Sequence, residues 1–164
     1  MLVSRTYAAP QIRYAEILLT QAEAYDRNAP GVTVDPTAIL YLNAVRNRSL
    51  PAASLPGSIY TAANFATKTD LVKAILAERR IEFLAEGRRW ADIHRLALDA
   101  TYGTAGIPAK VATLFNSFAT YNCITFPAPP TTLTAKPYAD YRFLWPIPSD
   151  ETTSNPVQAQ NPGY

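Results

Sequence analysis

Three glutamates recur at every fourth position of one charged segment. They are Glu78, Glu82 and Glu86, and ten of the 25 residues from Leu71 to Arg95 are charged. At about 100° per residue, the three carboxylates fall on one side of a helix, beside apolar positions that a core should bury. Like charges at this spacing repel, and partial burial makes an unpaired carboxylate still less favourable. The pattern therefore requires cationic partners close to the acids.

Arginine side chains are the natural partners, because a planar guanidinium can hold a carboxylate through two hydrogen bonds. We predict a structural charge network that fixes how the helices cross. Its predicted members are Glu78, Arg79, Glu82, Glu86, Arg88, Arg89 and Asp92, with Arg13, Arg46 and Arg95 as further available cations.

The same carboxylates could instead act as the general acid and base of a glycoside hydrolase. Such a pair flanks the scissile bond from two sides of a cleft, with the carboxyl groups roughly 5 to 9.5 Å apart. Carboxylates on one face of one helix project together, so the pattern favours the structural role.

The residue types offer little for other catalytic or cofactor chemistry. His94 is the only histidine and Cys123 the only cysteine, so no metal-ligand set and no Cys/His pair at motif spacing can be assembled. The six glycines are scattered and form no phosphate-binding loop. We expect no catalytic residues, no metal and no cofactor.

Tyrosines of the C-terminal part are candidates for carbohydrate binding, because a sugar stacks its apolar C–H face on an aromatic ring. The alternative is that each ring anchors a loop onto the helices, and for any single tyrosine we favour that alternative. The candidates are Tyr102, Tyr121, Tyr138 and Tyr141.

Helical periodicity organises the first hundred residues. Apolar spacing predicts a helix over 11–27, and Asp35 followed by proline predicts the start of a second helix that ends before Pro51. Thr67 resembles the first residue of a capping box and should begin a third helix. This helix should run to about Gly87, which either kinks one long helix or separates it from the next.

The composition changes near residue 100. The last 64 residues hold nine of the 14 prolines and 10 of the 18 aromatic residues, so only 110–121 could hold a helix. The aromatic rings of Phe143, Trp145 and Tyr164 indicate a tail that is packed down. We predict a mainly α fold in a single domain, 1–164, with a helical part over 1–100 and a loop-rich, proline-rich part over 101–164.

The charge and hydropathy patterns argue against a nucleic-acid partner and against a membrane-spanning segment. The net charge of +2 comes from interleaved acids and bases, so no basic run marks a nucleic-acid site. No stretch approaches the 18 or so consecutive apolar residues that a membrane span needs.

Three blocks of the sequence resemble the SusD/RagB family. Residues 12–24 with 42–46 are similar to the first C-terminal helix pair of that family, and 78–93, which contains Glu-Gly-Arg-Arg-Trp, is similar to its most characteristic helix. The ending Leu-Trp-Pro-Ile-Pro at 144–148, with Asn155-Pro156 and Gln-Asn-Pro-Gly-Tyr at 160–164, resembles the closing motif of the family almost residue for residue.

This resemblance implies tetratricopeptide-like helix pairs and a non-catalytic protein that captures a glycan or other nutrient. It implies a lipoprotein at the surface of the outer membrane, partnered by a SusC-like TonB-dependent transporter. Family members are longer and are anchored through an N-terminal lipidated cysteine, so we expect this chain to be a C-terminal part whose N-terminal remainder carries the anchor; Cys123 cannot be that cysteine. The alternatives are a tetratricopeptide-like scaffold for protein partners and, least favoured, a glycoside hydrolase that uses the glutamates.

Overall fold

The structure is a computed structural model, and it describes residues 12–110 and 133–164. The chain divides into two compact units, Met1–Arg89 and Trp90–Tyr164. The composition changes about ten residues later than this division, and the assignment of all 164 residues to one domain stays a prediction.

Two helices open the first unit, as the periodicity predicts. Helix α1 spans Tyr14–Asn28 and helix α2 spans Pro36–Arg46. Asp35 caps α2, because its side-chain carboxylate accepts hydrogen bonds from the backbone N–H groups of Thr37 and Ala38 at 2.7 and 3.1 Å. The predicted helix starts are thus confirmed to within a few residues.

Short helical turns connect this pair to the next long helix. Helix α3, Leu55–Ser58, is a single turn, and 3-10 turns span Asn47–Ser49, Ala52–Ser54 and Ala62–Asn64.

Helix α4 spans Lys68–Glu82 and begins with the capping box that the sequence predicts. The Thr67 hydroxyl accepts a hydrogen bond from the Asp70 N–H, and the Asp70 carboxylate accepts one from the Thr67 N–H. The prediction that this helix runs to about Gly87 is wrong, because it ends at Glu82 and leaves Glu86 outside the helix. Gly87 has a φ of 76°, in the left-handed region. Helix α5 then spans Arg88–Leu96, so Gly87 separates two helices and does not kink one.

The core of the first unit joins α1, α2 and α4. Leu19, Leu42, Leu71 and Ile75 have no solvent exposure and form one cluster with further apolar side chains of the three helices. Burying an aliphatic side chain of this size stabilises the fold by about 1.5–3 kcal/mol. The packed helices place the α4 acids beside α1 and α2.

The second unit continues α5, and its other described residues, 97–110 and 133–164, hold little regular structure. Strand β1, Gly106–Ile107, pairs antiparallel with strand β2, Lys136–Pro137. A 3-10 turn spans Tyr141–Phe143, and helix α6 spans Ser149–Ser154. Ile93, Ala97 and Phe143 form the small core of this unit. The mainly α fold with a loop-rich C-terminal part is confirmed. The expectation that only 110–121 could hold a helix in this part is wrong, because α6 forms after Pro148; the possible helix over 110–121 itself lies outside the described residues, apart from Lys110.

The end of the chain packs against the segment that precedes α6. The Gln160 side chain bonds both the N–H and the C=O of Ile147 at 2.8 Å, and Asn161 donates to the Trp145 carbonyl at 2.7 Å. Phe143 is only 3 % exposed, as expected for a packed tail. The expectation is wrong for the ring of Trp145, which is 70 % exposed. Phe143 takes the core position, and the Trp145 ring lies edge-on to Trp90 with centroids 6.0 Å apart.

Within the described part of the chain, no helix is long and apolar enough to cross a membrane.

Candidate functional site

Glu82, the last residue of α4, and Glu86, four residues beyond the end of that helix, are held by arginines far away in sequence. Arg13 pairs with the Glu82 carboxylate at 2.8 Å and with Glu86 at 2.8 Å, and it donates to the Glu82 backbone carbonyl at 2.9 Å. Arg48, on the 3-10 turn after α2, pairs with the same Glu82 carboxylate. Glu82 thus joins α4 to the residue that precedes α1 and to the turn that follows α2.

Glu78 is also buried, and this burial opposes its charge. Its carboxylate is 3.6 Å from Arg46, whose guanidinium also lies over the Tyr60 ring at 4.5 Å from the centroid. Burial raises the pKa of Glu78; the charge of Arg46 opposes this shift and the charge of Glu82 adds to it. The three predicted acids are therefore engaged by cations, and two of the partners, Arg13 and Arg46, were among the available arginines.

The remaining predicted network residues lie in separate contacts. Arg79 is buried in α4 and donates to the Thr20 hydroxyl at 3.1 Å, and Arg88 is 3.4 Å from the Glu16 carboxylate. Arg89 lines a pocket at the end of α4 together with apolar side chains. In the second unit, Asp92 pairs with Arg95 at 2.8 Å, three residues on.

Sequence reasoning missed three partners of these residues: Arg48, Glu16 and Thr20. Glu16 and Thr20 lie one helical turn apart on α1, a spacing that marks them as neighbours on one face. Arg48 follows the end of α2 and has no periodic signal.

Two of the four candidate tyrosines line one pocket in the second unit. Tyr138 and Tyr141 are 47 % and 43 % exposed, and the pocket has a volume of about 390 Å³, toward the lower end for ligand sites. Tyr102 is partly buried and is not among the lining residues, and Tyr121 lies outside the described residues. The lining is His94, Tyr138, Ala139, Asp140, Tyr141, Phe143, Leu144 and Pro162.

Three aromatic side chains that line the pocket also pack against one another. Phe143, at the centre of the small core, stacks on His94 with centroids 4.2 Å apart and lies 4.9 Å from the Tyr138 ring. His94 also contacts Trp90 at 4.6 Å between ring centroids. The single histidine is thus part of an aromatic stack, which gives it a packing role.

Asp140 lines the pocket, and the negative charge of its carboxylate is compensated by Arg142. Both carboxylate oxygens of Asp140 accept hydrogen bonds from the Arg142 guanidinium, at 2.8 and 2.9 Å, and this pairing lowers the pKa of Asp140. Asp140 therefore stays ionised and is charge-paired at neutral pH. Aromatic rings together with oriented polar groups are typical of carbohydrate recognition.

Among residues 12–110 and 133–164, no group of three or more histidine, cysteine, aspartate or glutamate side chains could hold a metal ion.

Known proteins similar to this chain identify its family. The model of the SusD family matches residues 3–164. SusD-like protein P38 of Formosa agariphila is 42 % identical over 85 residues, which are 51 % of this chain and 16 % of that protein. SusD-like protein P2 of the same organism is 29 % identical over 157 residues, which are 93 % of this chain and 25 % of that protein.

The chain therefore spans a quarter or less of the length of these two relatives. No solved structure matches it significantly. Because the family model covers nearly every residue, including the charged helix and the closing motif, the chain belongs to the SusD family.

Proposed function

We propose that the protein is the glycan- or nutrient-binding component of a SusCD-type outer-membrane uptake complex and that it binds its ligand without cleaving it. The observation that carries this proposal is the family match over residues 3–164. The pocket that contains Tyr138 and Tyr141 supports it, since these exposed rings can stack on sugars.

The proposal also specifies a cellular location and a protein partner. The whole protein is held at the cell surface by a lipid on its N-terminal region, and it delivers ligand to a SusC-like TonB-dependent transporter. Family membership is the support for both statements.

A non-catalytic role is consistent with the geometry of the acids. Glu82 contacts two arginines, and Glu86 shares one of them. A general acid or base at these positions would have to break ion pairs that join helices. The second candidate function, a helical scaffold for protein partners, draws its support from the packed α1, α2 and α4 alone.

Calorimetric titration of the complete protein tests ligand binding. We expect saturable binding to at least one member of a panel of plant, algal and host oligosaccharides, with no shorter products after prolonged incubation. Release of shorter sugars would contradict the non-catalytic role. Failure to bind any member of the panel would contradict glycan binding and favour another nutrient or the scaffold function.

Affinity purification from the membranes of the native bacterium tests the partner and the location. We expect the tagged protein to co-purify with a TonB-dependent barrel and to incorporate labelled fatty acid. A protein that remains unlipidated and without a barrel would favour the scaffold function.

A further inference from the structure

We propose that the closing segment Gln160–Tyr164 is a positioning element of the ligand pocket, and that Gly163 sets the place of the Tyr141 ring. The inference rests on the proposed carbohydrate-binding function. It assigns a role in ligand binding to a segment whose hydrogen bonds to Trp145 and Ile147 otherwise indicate only a structural role.

The backbone of Gly163 lies directly against Tyr141. A Cβ atom added at Gly163 would be 2.6 Å from Cγ of the Tyr141 ring and 2.9 Å from its Cβ, closer than real Cβ contacts. Gly163 also has a φ of 99°, a conformation that disfavours any side chain. Only glycine therefore allows the ring and the backbone to keep this distance.

Neighbouring residues hold the closing segment and the ring together. The Tyr164 ring lies edge-on to Tyr141 with centroids 5.0 Å apart, and its hydroxyl donates to the Leu144 carbonyl at 2.8 Å. Pro162 lines the pocket itself. The Gln160 bonds to Ile147 fix where this segment begins.

The consequence is a preorganised aromatic wall. Tyr141 is 43 % exposed yet is contacted by Gly163 and Tyr164 from the chain end. An aromatic ring that is already in place loses less conformational freedom when a ligand stacks on it, which strengthens binding. The closing segment should therefore affect affinity through Tyr141.

A double-mutant cycle in the complete protein tests this coupling. With the tightest oligosaccharide of the panel, we expect Gly163→Ala and Tyr141→Ala each to weaken binding about tenfold, as expected for a lost aromatic contact. The double variant should bind no more weakly than Tyr141→Ala alone, because both changes remove the same contact. Additive losses, or an unchanged affinity for Gly163→Ala, would overturn the inference.

A glycine elsewhere supplies the matched control. Gly31 has a φ of 74° and nothing within 4 Å of an added Cβ, so Gly31→Ala introduces backbone strain without touching the pocket. It should leave the affinity unchanged. Tyr164→Ala is a second variant in case Gly163→Ala folds poorly, and it should weaken binding. Tyr164→Phe keeps the ring but loses the bond to the Leu144 carbonyl, so it should weaken binding less than Tyr164→Ala does.

Fluorine NMR of the 3-fluorotyrosine-labelled protein tests the positioning without ligand, so that the inference and the proposed function can fail separately. The Tyr141 resonance, identified by its loss in Tyr141→Phe, should shift in Gly163→Ala and stay in place in Gly31→Ala. A resonance that does not move in Gly163→Ala would overturn the positioning role, even in a protein that binds carbohydrate. If the resonance moves but no carbohydrate binds, the proposed function fails and the link to binding fails with it.

Discussion

At the scale of single residues, buried acids give the first unit a dependence on pH. Asp26 in α1 has no solvent exposure; its carboxylate accepts a hydrogen bond from the Asp35 N–H at 2.9 Å. Burial raises the pKa of Asp26, and the Asp35 N–H and the charge of Lys68 oppose the shift. When folding raises the pKa of a carboxyl group, the contribution of that group to the stability of the fold is fully present below the unfolded pKa. This contribution is lost as the pH rises through the folded pKa.

We expect Asp26→Asn to remove this loss. The amide keeps the oxygen that accepts from Asp35 and carries no charge. The free energy of unfolding of the variant should rise relative to the natural protein as the pH increases from about 4 to 7, by on the order of 1 kcal/mol. Urea denaturation at several pH values measures the difference.

Asp150→Asn, at an exposed position, is the control for this experiment and should show no such trend. If the two proteins kept the same difference at every pH, the burial argument for Asp26 would be wrong.

At the scale of elements, side-chain caps mark where α2 and α4 begin. The reciprocal bonds between Thr67 and Asp70 satisfy two backbone N–H groups at the start of α4, the helix that carries the acids. Leu71 and Ile75, one turn apart, form the face of α4 that packs against α1 and α2.

Thr67→Ala should lower the free energy of unfolding by about 1 kcal/mol, the usual cost of losing a side-chain cap. Thr67→Ser keeps a hydroxyl that can accept the same bond and should retain most of the stability. Thermal denaturation of the two variants compares them, and equal losses would show that the hydroxyl does not cap the helix.

The ion pairs of Glu82 connect α4 to Arg13, just before α1, and to Arg48, just after α2. Glu82→Arg places a third cation beside Arg13 and Arg48, and we expect a loss of about 2–4 kcal/mol, close to the cost of breaking a buried pair. Reversal of the charge at the exposed Lys73 of the same helix should change the free energy of unfolding by less than about 0.5 kcal/mol. An unchanged melting temperature for Glu82→Arg would refute the structural charge network.

At the scale of the whole molecule, each compact unit has its own core. Leu19 is central to the first core and Phe143 to the second. Leu19→Ala should cost about 2–5 kcal/mol and Phe143→Ala about 3–5 kcal/mol. We expect hydrogen exchange to accelerate mainly in α1, α2 and α4 for the first variant and mainly in the second unit for the other. Uniform acceleration by both variants would show one cooperative unit.

Signals within a few neighbouring residues of the sequence predicted where the main helices begin. Asp35 with the following proline, and Thr67 with Asp70, mark helix starts because capping involves residues two or three positions apart. Long-range contacts had no such signal. Arg48 reaches an acid 34 residues away, and Trp145 looked like a buried anchor although Phe143 takes the core position.

The sequence by itself determined the family, the helical class and the need of the α4 acids for arginine partners, since these depend on residue order and on charge at helical spacing. Only the tertiary structure decided which arginines meet Glu82 and that Tyr138 and Tyr141 share a pocket with the chain end. Such pairings follow from how helices and loops pack across tens of residues, which local periodicity does not encode.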